Sequence, residues 1–194
     1  MRIRKTAATA AAAAALAAGF VAAGPASSAS ATSYVCTVLS SGADSSQCSH
    51  TSTLYANNSE WQANTRWNSA FTYLQYQSDG NLVLYCKNGG YSYGLGRDVN
   101  AGQAVWASGF VDEQSGNLHV MDFWNDGNLA TYGINEETGI KGVQWSMNQW
   151  HGADSELIVQ TDGNLVLWED GTPYWASNTY HDCPGSQDFW NGYK

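Results

Sequence analysis

The sequence predicts an all-β protein assembled from three copies of one hairpin, and three observations carry that prediction. The segment from Gln77 to Tyr85, "QSDGNLVLY", returns 83 residues later from Gln160 to Trp168 as "QTDGNLVLW", with seven of nine letters unchanged. The kernel Asp-Gly-Asn-Leu occurs three times, starting at Asp79, Asp126 and Asp162, in steps of 47 and 36 residues. The third observation is composition: nine Trp, eleven Tyr and 20 Gly against only three Pro. That mix suits many short strands joined by tight turns. Past the first residues no stretch shows helical periodicity. Self-similar units at this spacing mark a repeat architecture, in which one unit cannot bury its apolar face alone.

In chain order, "MRIRK" is basic, the next nineteen residues are apolar and rich in Ala, and "ASA" at Ala29 to Ala31 is a small-residue cleavage signal. Residues 1–31 therefore read as a secretory signal peptide. A secreted, extracellular chain from Thr32 to Lys194 is expected, 163 residues long, enough for one decorated domain. No second long apolar run follows, so no membrane insertion is expected. Three of the eight basic residues leave with the signal, which takes the balance to 5 minus 17, or −12. Such a charge repels nucleic acid and anionic membranes and points to neutral partners. Residues 32–50 form an N-terminal extension with Cys36 and Cys48, and Cys86 and Cys183 complete the set of four. An even number in an exported chain suggests two disulfides. Of the three pairings, Cys36–Cys48 as a local loop and Cys86–Cys183 as a long clamp are favoured. No pair has zinc-ligand spacing, so neither a metal nor another cofactor is expected.

Each repeat reads as a β-hairpin. Asp-Gly and Gly-Asn form turns because Gly, and less readily Asn, accept positive φ. A two-residue loop would pair Ser78 with Asn81; a three-residue loop would pair Ser78 with Leu82 and place one residue in the left-handed region. The longer loop sorts the side chains better. It joins Leu74, Tyr76, Leu82 and Leu84 in copy one, Met121, Phe123 and Leu129 in copy two, and Leu157, Val159, Leu165 and Leu167 in copy three. Three equivalent apolar patches can share a core that no single hairpin could bury. Each copy is followed by a Trp among small or polar neighbours: "VWAS" at Trp106, "QWSM" at Trp145 and "YWAS" at Trp175. These three rings are expected to fill the common axis. Copy one carries a long insert, "CKNGGYSYGLGRDVNAGQA", before its Trp.

The opposite parity collects polar groups. Copy one presents Gln77, Val83 and Tyr85, with Asp79 and Asn81 at the turn; copy three presents Gln160, Val166 and Trp168, with Asp162 and Asn164. Amides, a carboxylate, a small apolar contact and an aromatic ring together match a sugar, whose hydroxyls donate and accept and whose C–H groups need an apolar patch.

Gln-x-Asp-x-Asn-x-Val-x-Tyr, repeated and trailed by Trp-Ala-Ser, resembles the bulb-type lectins, the snowdrop-type mannose-binding family. "TLYANNSEWQANTRW" also resembles that family's opening strands. The resemblance implies a β-prism II fold, three antiparallel sheets about a pseudo-threefold axis, over residues 51–180, with 181–194 as a tail. It implies no enzymatic activity, and mannose-containing glycans as partners: Gln, Asp, Asn and Tyr would bond ring hydroxyls and Val would pack on the ring. Copy one matches at every position (Gln77, Asp79, Asn81, Val83, Tyr85). Copy three departs at Trp168, which loses the phenol, so weaker or altered binding is expected there. Copy two has Trp124 for Gln and Ala130 for Val, keeps Asp126, Asn128 and Tyr132, and is expected to be a degenerate pocket. One shallow pocket binds a monosaccharide at about millimolar strength. Avidity would then need several pockets on a chain, or an oligomer such as a homodimer. Two other readings stand beside this one. One is a bacteriocin-like antimicrobial toxin on the lectin scaffold, with activity carried by the extension or the tail. The other is an adhesive surface protein without sugar binding. The four His are scattered, and no nucleophile elbow occurs.

Overall fold

The computed structural model describes residues 32–35, 49–112 and 117–188, so the expected signal peptide and the Cys36–Cys48 pair lie outside the described residues. The strands in chain order are β1 (Thr32–Val35), β2 (Ser49–Tyr55), β3 (Ser59–Gln62), β4 (Arg66–Asn68), β5 (Thr72–Tyr76), β6 (Leu82–Cys86), β7 (Gly90–Ser92) and β8 (Arg97–Val99). There follow β9 (Ala104–Ala107), β10 (Asn117–Phe123), β11 (Leu129–Asn135), β12 (Lys141–Ser146), β13 (Glu156–Val159), β14 (Leu165–Glu169) and β15 (Thr172–Ala176). They form three antiparallel sheets: β4-β5-β6-β9 holds copy one, β3-β10-β11-β12 copy two, and β1-β2-β13-β14-β15 copy three. The insert of copy one folds as a separate β7-β8 ribbon.

The three hairpins close alike. Tyr76 pairs with Leu82, Phe123 with Leu129 and Val159 with Leu165. The amide of Gln77 donates to the carbonyl of Asn81 at 2.9 Å, so the three-residue loop is Ser78-Asp79-Gly80 and the expected Ser78–Leu82 pair does not form. The reason is which residue takes the left-handed position. Gly80 has φ 81°, Gly127 86° and Gly163 89°, conformations that glycine adopts at no steric cost. Ending the loop on glycine rather than on Asn81 moves the closing pair back by one residue on each strand. Parity is unchanged by that shift, so the sorting of faces holds.

The inward faces are buried as expected: Leu74, Tyr76, Leu82, Leu84, Met121, Phe123, Leu129, Leu157, Val159, Leu165 and Leu167 all lie in one core. Trp106, Trp145 and Trp175 pack against it, with ring centroids 6.0 Å apart for Trp106–Trp145 and 5.5 Å for Trp106–Trp175, both edge-to-face. Such pairs add stability beyond the area they bury. Three sheets facing this tryptophan cluster make a β-prism II. The opening segment supplies one strand to each sheet. It places Leu54 opposite Leu157, Trp61 opposite Met121 and Trp67 opposite Leu74. All three are buried, so a single stretch of chain laces the prism together. A bulge recurs at the same place in every sheet, at Leu84/Tyr85, Thr131/Tyr132 and Leu167/Trp168. Bulges re-aim the neighbouring side chain, here the aromatic of each outer face. The equivalence breaks at Thr131, which stands where the other copies have Leu84 and Leu167. It is fully buried, and its Oγ1 has no hydrogen-bond partner among the described residues.

Candidate functional site

The turn residues of the three outer pockets do the same local work. Asp79, Asp126 and Asp162 each accept the N–H of the Asn two residues on, at 3.0, 2.9 and 2.9 Å, closing an Asx turn. The side-chain Oδ1 of Asn81 accepts Ser108 Oγ–H at 2.8 Å and the N–H of Gly109 at 3.2 Å. Asn164 likewise accepts Ser177 Oγ at 3.1 Å and the Thr179 N–H at 3.2 Å, and Asn128 accepts Ser146 Oγ at 3.0 Å. Each turn is thus tied to the end of the strand that carries its Trp. What remains for a ligand is the second carboxylate oxygen of Asp and the amide nitrogen of Asn.

Pocket one brings its five expected residues together. Gln77 Nε2 donates to Tyr85 Oη at 2.6 Å, so the two side chains face each other across the hairpin. Val83 forms a 3 % exposed floor, and Gln77, Asp79, Asn81 and Tyr85 stand half-buried around it. Asp79 Oδ2 and Asn81 Nδ2 have no hydrogen-bond partner among the described residues and are left for a ligand. The polar surface extends beyond the expected set. Tyr73 stacks on Tyr85 with centroids 5.1 Å apart, and Arg66 lies 4.1 Å above Tyr73 while donating to Gln75 Oε1 at 2.8 Å. Alternation along β5 carries the signal for Tyr73 and Gln75, which share parity with Gln77.

Pocket two is remade around a lysine. Trp124, in the place of the glutamine, keeps the cross-hairpin bond by donating Nε1 to Tyr132 Oη at 3.1 Å. Ala130 gives a buried floor, while Asp126 is exposed and Asn128 is buried. Lys141 reaches over this face, 2.6 Å from Asp122, 3.1 Å from Glu60 and 4.5 Å from the centre of the Tyr132 ring. Asp122 and Glu60 are directly opposed across β10 and β3, where like charges destabilise a sheet. Burial raises the Asp122 carboxyl while the Lys141 bond opposes that rise. Burial pulls the Lys141 ammonium down, but its bonds to Asp122 and Glu60 outweigh this and leave it raised. No sequence pattern announces the arrangement, because Lys141 arrives from a neighbouring strand.

Pocket three is covered. Gln160, Asp162 and Val166 are only 3 %, 5 % and 4 % exposed. The segment after β15 crosses them: Thr179 Oγ1 donates to the Gly163 carbonyl and the His181 N–H to the Asp162 carbonyl, both at 2.8 Å. Burial raises the Asp162 carboxyl, against the pull of the Asn164 N–H and of His181. The segment is clamped by the expected Cys86–Cys183 disulfide, with an S–S distance of 2.01 Å, and the Gly94 N–H in the insert donates to the His181 carbonyl at 2.9 Å. Trp168 instead lines a concavity of about 510 Å³ with Tyr55, Asp154, Glu156 and Glu169, beside the covered turn.

Three half-equivalent hairpins around tryptophans, each with Asp and Asn at the turn, are the geometry to compare with known proteins. The chain is structurally similar to monocot mannose-binding lectins. A monomeric mannose-binding lectin from Gastrodia elata shares 26 % identity over 66 % of this chain and 97 % of its own, at a TM-score of 0.49. A lectin from Allium sativum shares 24 % over 63 % and 96 %, at 0.44. The mannose-specific agglutinin of snowdrop, Galanthus nivalis, solved with methyl-α-D-mannoside, shares 23 % over 66 % and 96 %, also at 0.44. No protein-family profile and no curated protein sequence matches the chain.

Proposed function

We propose that the protein is a secreted, non-enzymatic lectin that binds a mannose-type glycan at pocket one. The observation that carries this reading is the contrast in what fills the three outer faces. Lys141 lies over the Tyr132 side of the second and the segment carrying Thr179 and His181 covers the third, whereas the first leaves Gln77, Asp79, Asn81 and Tyr85 half-exposed around the Val83 floor. There Asp79 would accept a ring hydroxyl in a charge-assisted bond, Asn81 and Gln77 would supply amide donors, and the Val83 floor with the Tyr85 ring would meet the C–H face. A single shallow pocket of this kind binds at about millimolar strength, so useful avidity would come from an oligomer, a homodimer being the simplest. The covering role of the tail gives that segment a structural task, which favours a lectin over a toxin whose activity lies in the tail.

A glycan array on the purified chain, followed by titration of Asp79→Ala against immobilised mannan, tests the reading. The expected outcome is mannoside binding by the unsubstituted protein and loss of most of it in the variant, with the fold kept. Unchanged binding in Asp79→Ala rejects pocket one. Growth inhibition of bacteria without any array signal would favour the toxin.

A further inference from the structure

Two cations share the outer face of the copy-one sheet, and among the described residues neither has a carboxylate within ion-pair distance. Arg66 on β4 lies over Tyr73 and spends one of its donors on Gln75. Lys87, one step past β6, donates to the Ser69 carbonyl at 2.5 Å. Arg66 sits over Tyr73, whose cross-strand partner Tyr85 is two residues before Lys87, and after burial the Arg66 charge lowers the Lys87 ammonium. With 17 carboxylates against eight basic residues, an unpaired cation pair goes against the composition of the chain. The other described cations are answered: Lys141 lies between Asp122 and Glu60, and Asp182 feels the charge of Arg97. Strand alternation places Val83, Tyr85 and Lys87 on one side of the sheet, with Tyr73 and Gln75 beside them. Val83, Gln75 and Arg66 are successive cross-strand partners. Two strand spacings, about 10 Å, therefore separate the backbone of the pocket-one floor from that of Arg66, whose guanidinium lies over Tyr73.

We propose that Arg66 and Lys87 form an anion subsite adjoining pocket one, so that the glycan recognised is an acidic one carrying a phosphate or carboxylate about one strand pair beyond the sugar held by Asp79 and Asn81. The proposal rests on the pocket-one reading and narrows its ligand class. The Arg66 fork retains donors that fit two oxygens of either anion, and Lys87 retains two of its three. Tyr73 holds the guanidinium in place, so less freedom is lost on binding. The negative charge of the whole chain still repels long polyanions, which restricts the subsite to short acidic glycans.

The test compares three oligosaccharides with a common mannose terminus, one neutral, one phosphorylated and one bearing a uronate, titrated at low and high ionic strength. At low salt the phosphorylated glycan should bind about tenfold tighter than the neutral one, and the uronate about threefold tighter. Both gains should vanish in about 1 M salt, where the screening length falls to about 3 Å. They should also vanish in Arg66→Gln/Lys87→Gln, with neutral binding kept. The exposed single change Arg66→Gln, which disturbs no core contact, should lose about half of the gain and keeps the test open if the double variant folds poorly. Equal affinity for all three glycans, or a gain that survives the double change, overturns the subsite and leaves pocket one standing. A gain that depends on Arg66 while Asp79→Ala has no effect supports the subsite and rejects pocket one. No binding of any of the three rejects both.

Discussion

Hairpin one and hairpin three differ at two positions in nine, yet they meet solvent in opposite ways. Gln77 and Asp79 stand half-exposed, while Gln160 and Asp162 are sealed at 3 % and 5 % exposure. The turns themselves are superimposable in their bonds: glycine at positive φ, Asp to the amide two residues on, Asn to the serine after the Trp. What separates them is the segment that follows. Both following segments return to their own turn, Asp112 N–H donating to the Asp79 carbonyl and His181 N–H to the Asp162 carbonyl, each at 2.8 Å, but only the segment after Trp175 adds a Thr179 Oγ1 bond to the Gly163 carbonyl and is pinned by Cys183. A local motif can thus be kept for its turn chemistry while its outer face is used up as a packing surface.

The largest effect should come from releasing that clamp. The Cys86–Cys183 bond closes a separation of 97 residues, for which loop entropy predicts roughly 4–5 kcal/mol of stability. Cys86→Ser/Cys183→Ser should lower the unfolding free energy by about that amount in denaturant titration. It should also raise hydrogen exchange at Thr179 and His181 while leaving Asn81 protected. Equal loosening of both hairpins would show that the tail does not distinguish them. Next is Lys141→Met, which strips the counter-charge from Asp122 and Glu60. A loss of about 2 kcal/mol is expected, below that for a fully buried pair because Lys141 is one-third exposed. In the same comparison Asp126→Ala should leave glycan binding intact, and a large loss there would mean that the second pocket is not closed by its lysine.

A smaller effect, of opposite sign, is expected at Thr131. Thr131→Val removes a buried hydroxyl that has no partner and restores the apolar character of the equivalent Leu84 and Leu167 positions. A gain of about 1 kcal/mol should appear in denaturant titration, and a loss would show that the Oγ1 is satisfied. The smallest effect concerns pH. The Asp162 carboxyl is raised in the fold, so its ionisation opposes folding; the cost is absent below the unfolded value and grows as pH climbs through the carboxylate range to the raised one. Asp162→Asn should therefore melt higher than the unsubstituted chain at neutral pH and converge with it on acidification.

Much of the architecture is legible in the letters. Alternation and the Asp-Gly-Asn turns assign the inward residues of all three hairpins, and the trailing tryptophans are read as axial from their repetition alone. The loop register is off by one residue on each strand, since the letters do not say whether Gly80 or Asn81 takes the left-handed position and the backbone chooses glycine. Residues adjoining pocket one, Arg66 and Tyr73 among them, lie on strands whose pairing is fixed only in three dimensions. Lys141 and the crossing of Thr179 and His181 carry no local signal.

The sequence alone determined which side of each ribbon faces the axis, that each ribbon turns at its Asp-Gly-Asn, and which rings fill the centre. These rest on period-two alternation, glycine stereochemistry and repetition, all of which act over a few residues. Only the tertiary structure decided which of three similar pockets stays open. That outcome depends on where distant segments come to rest, and their path is set by packing and by a disulfide closing 97 residues rather than by the letters of the pocket itself.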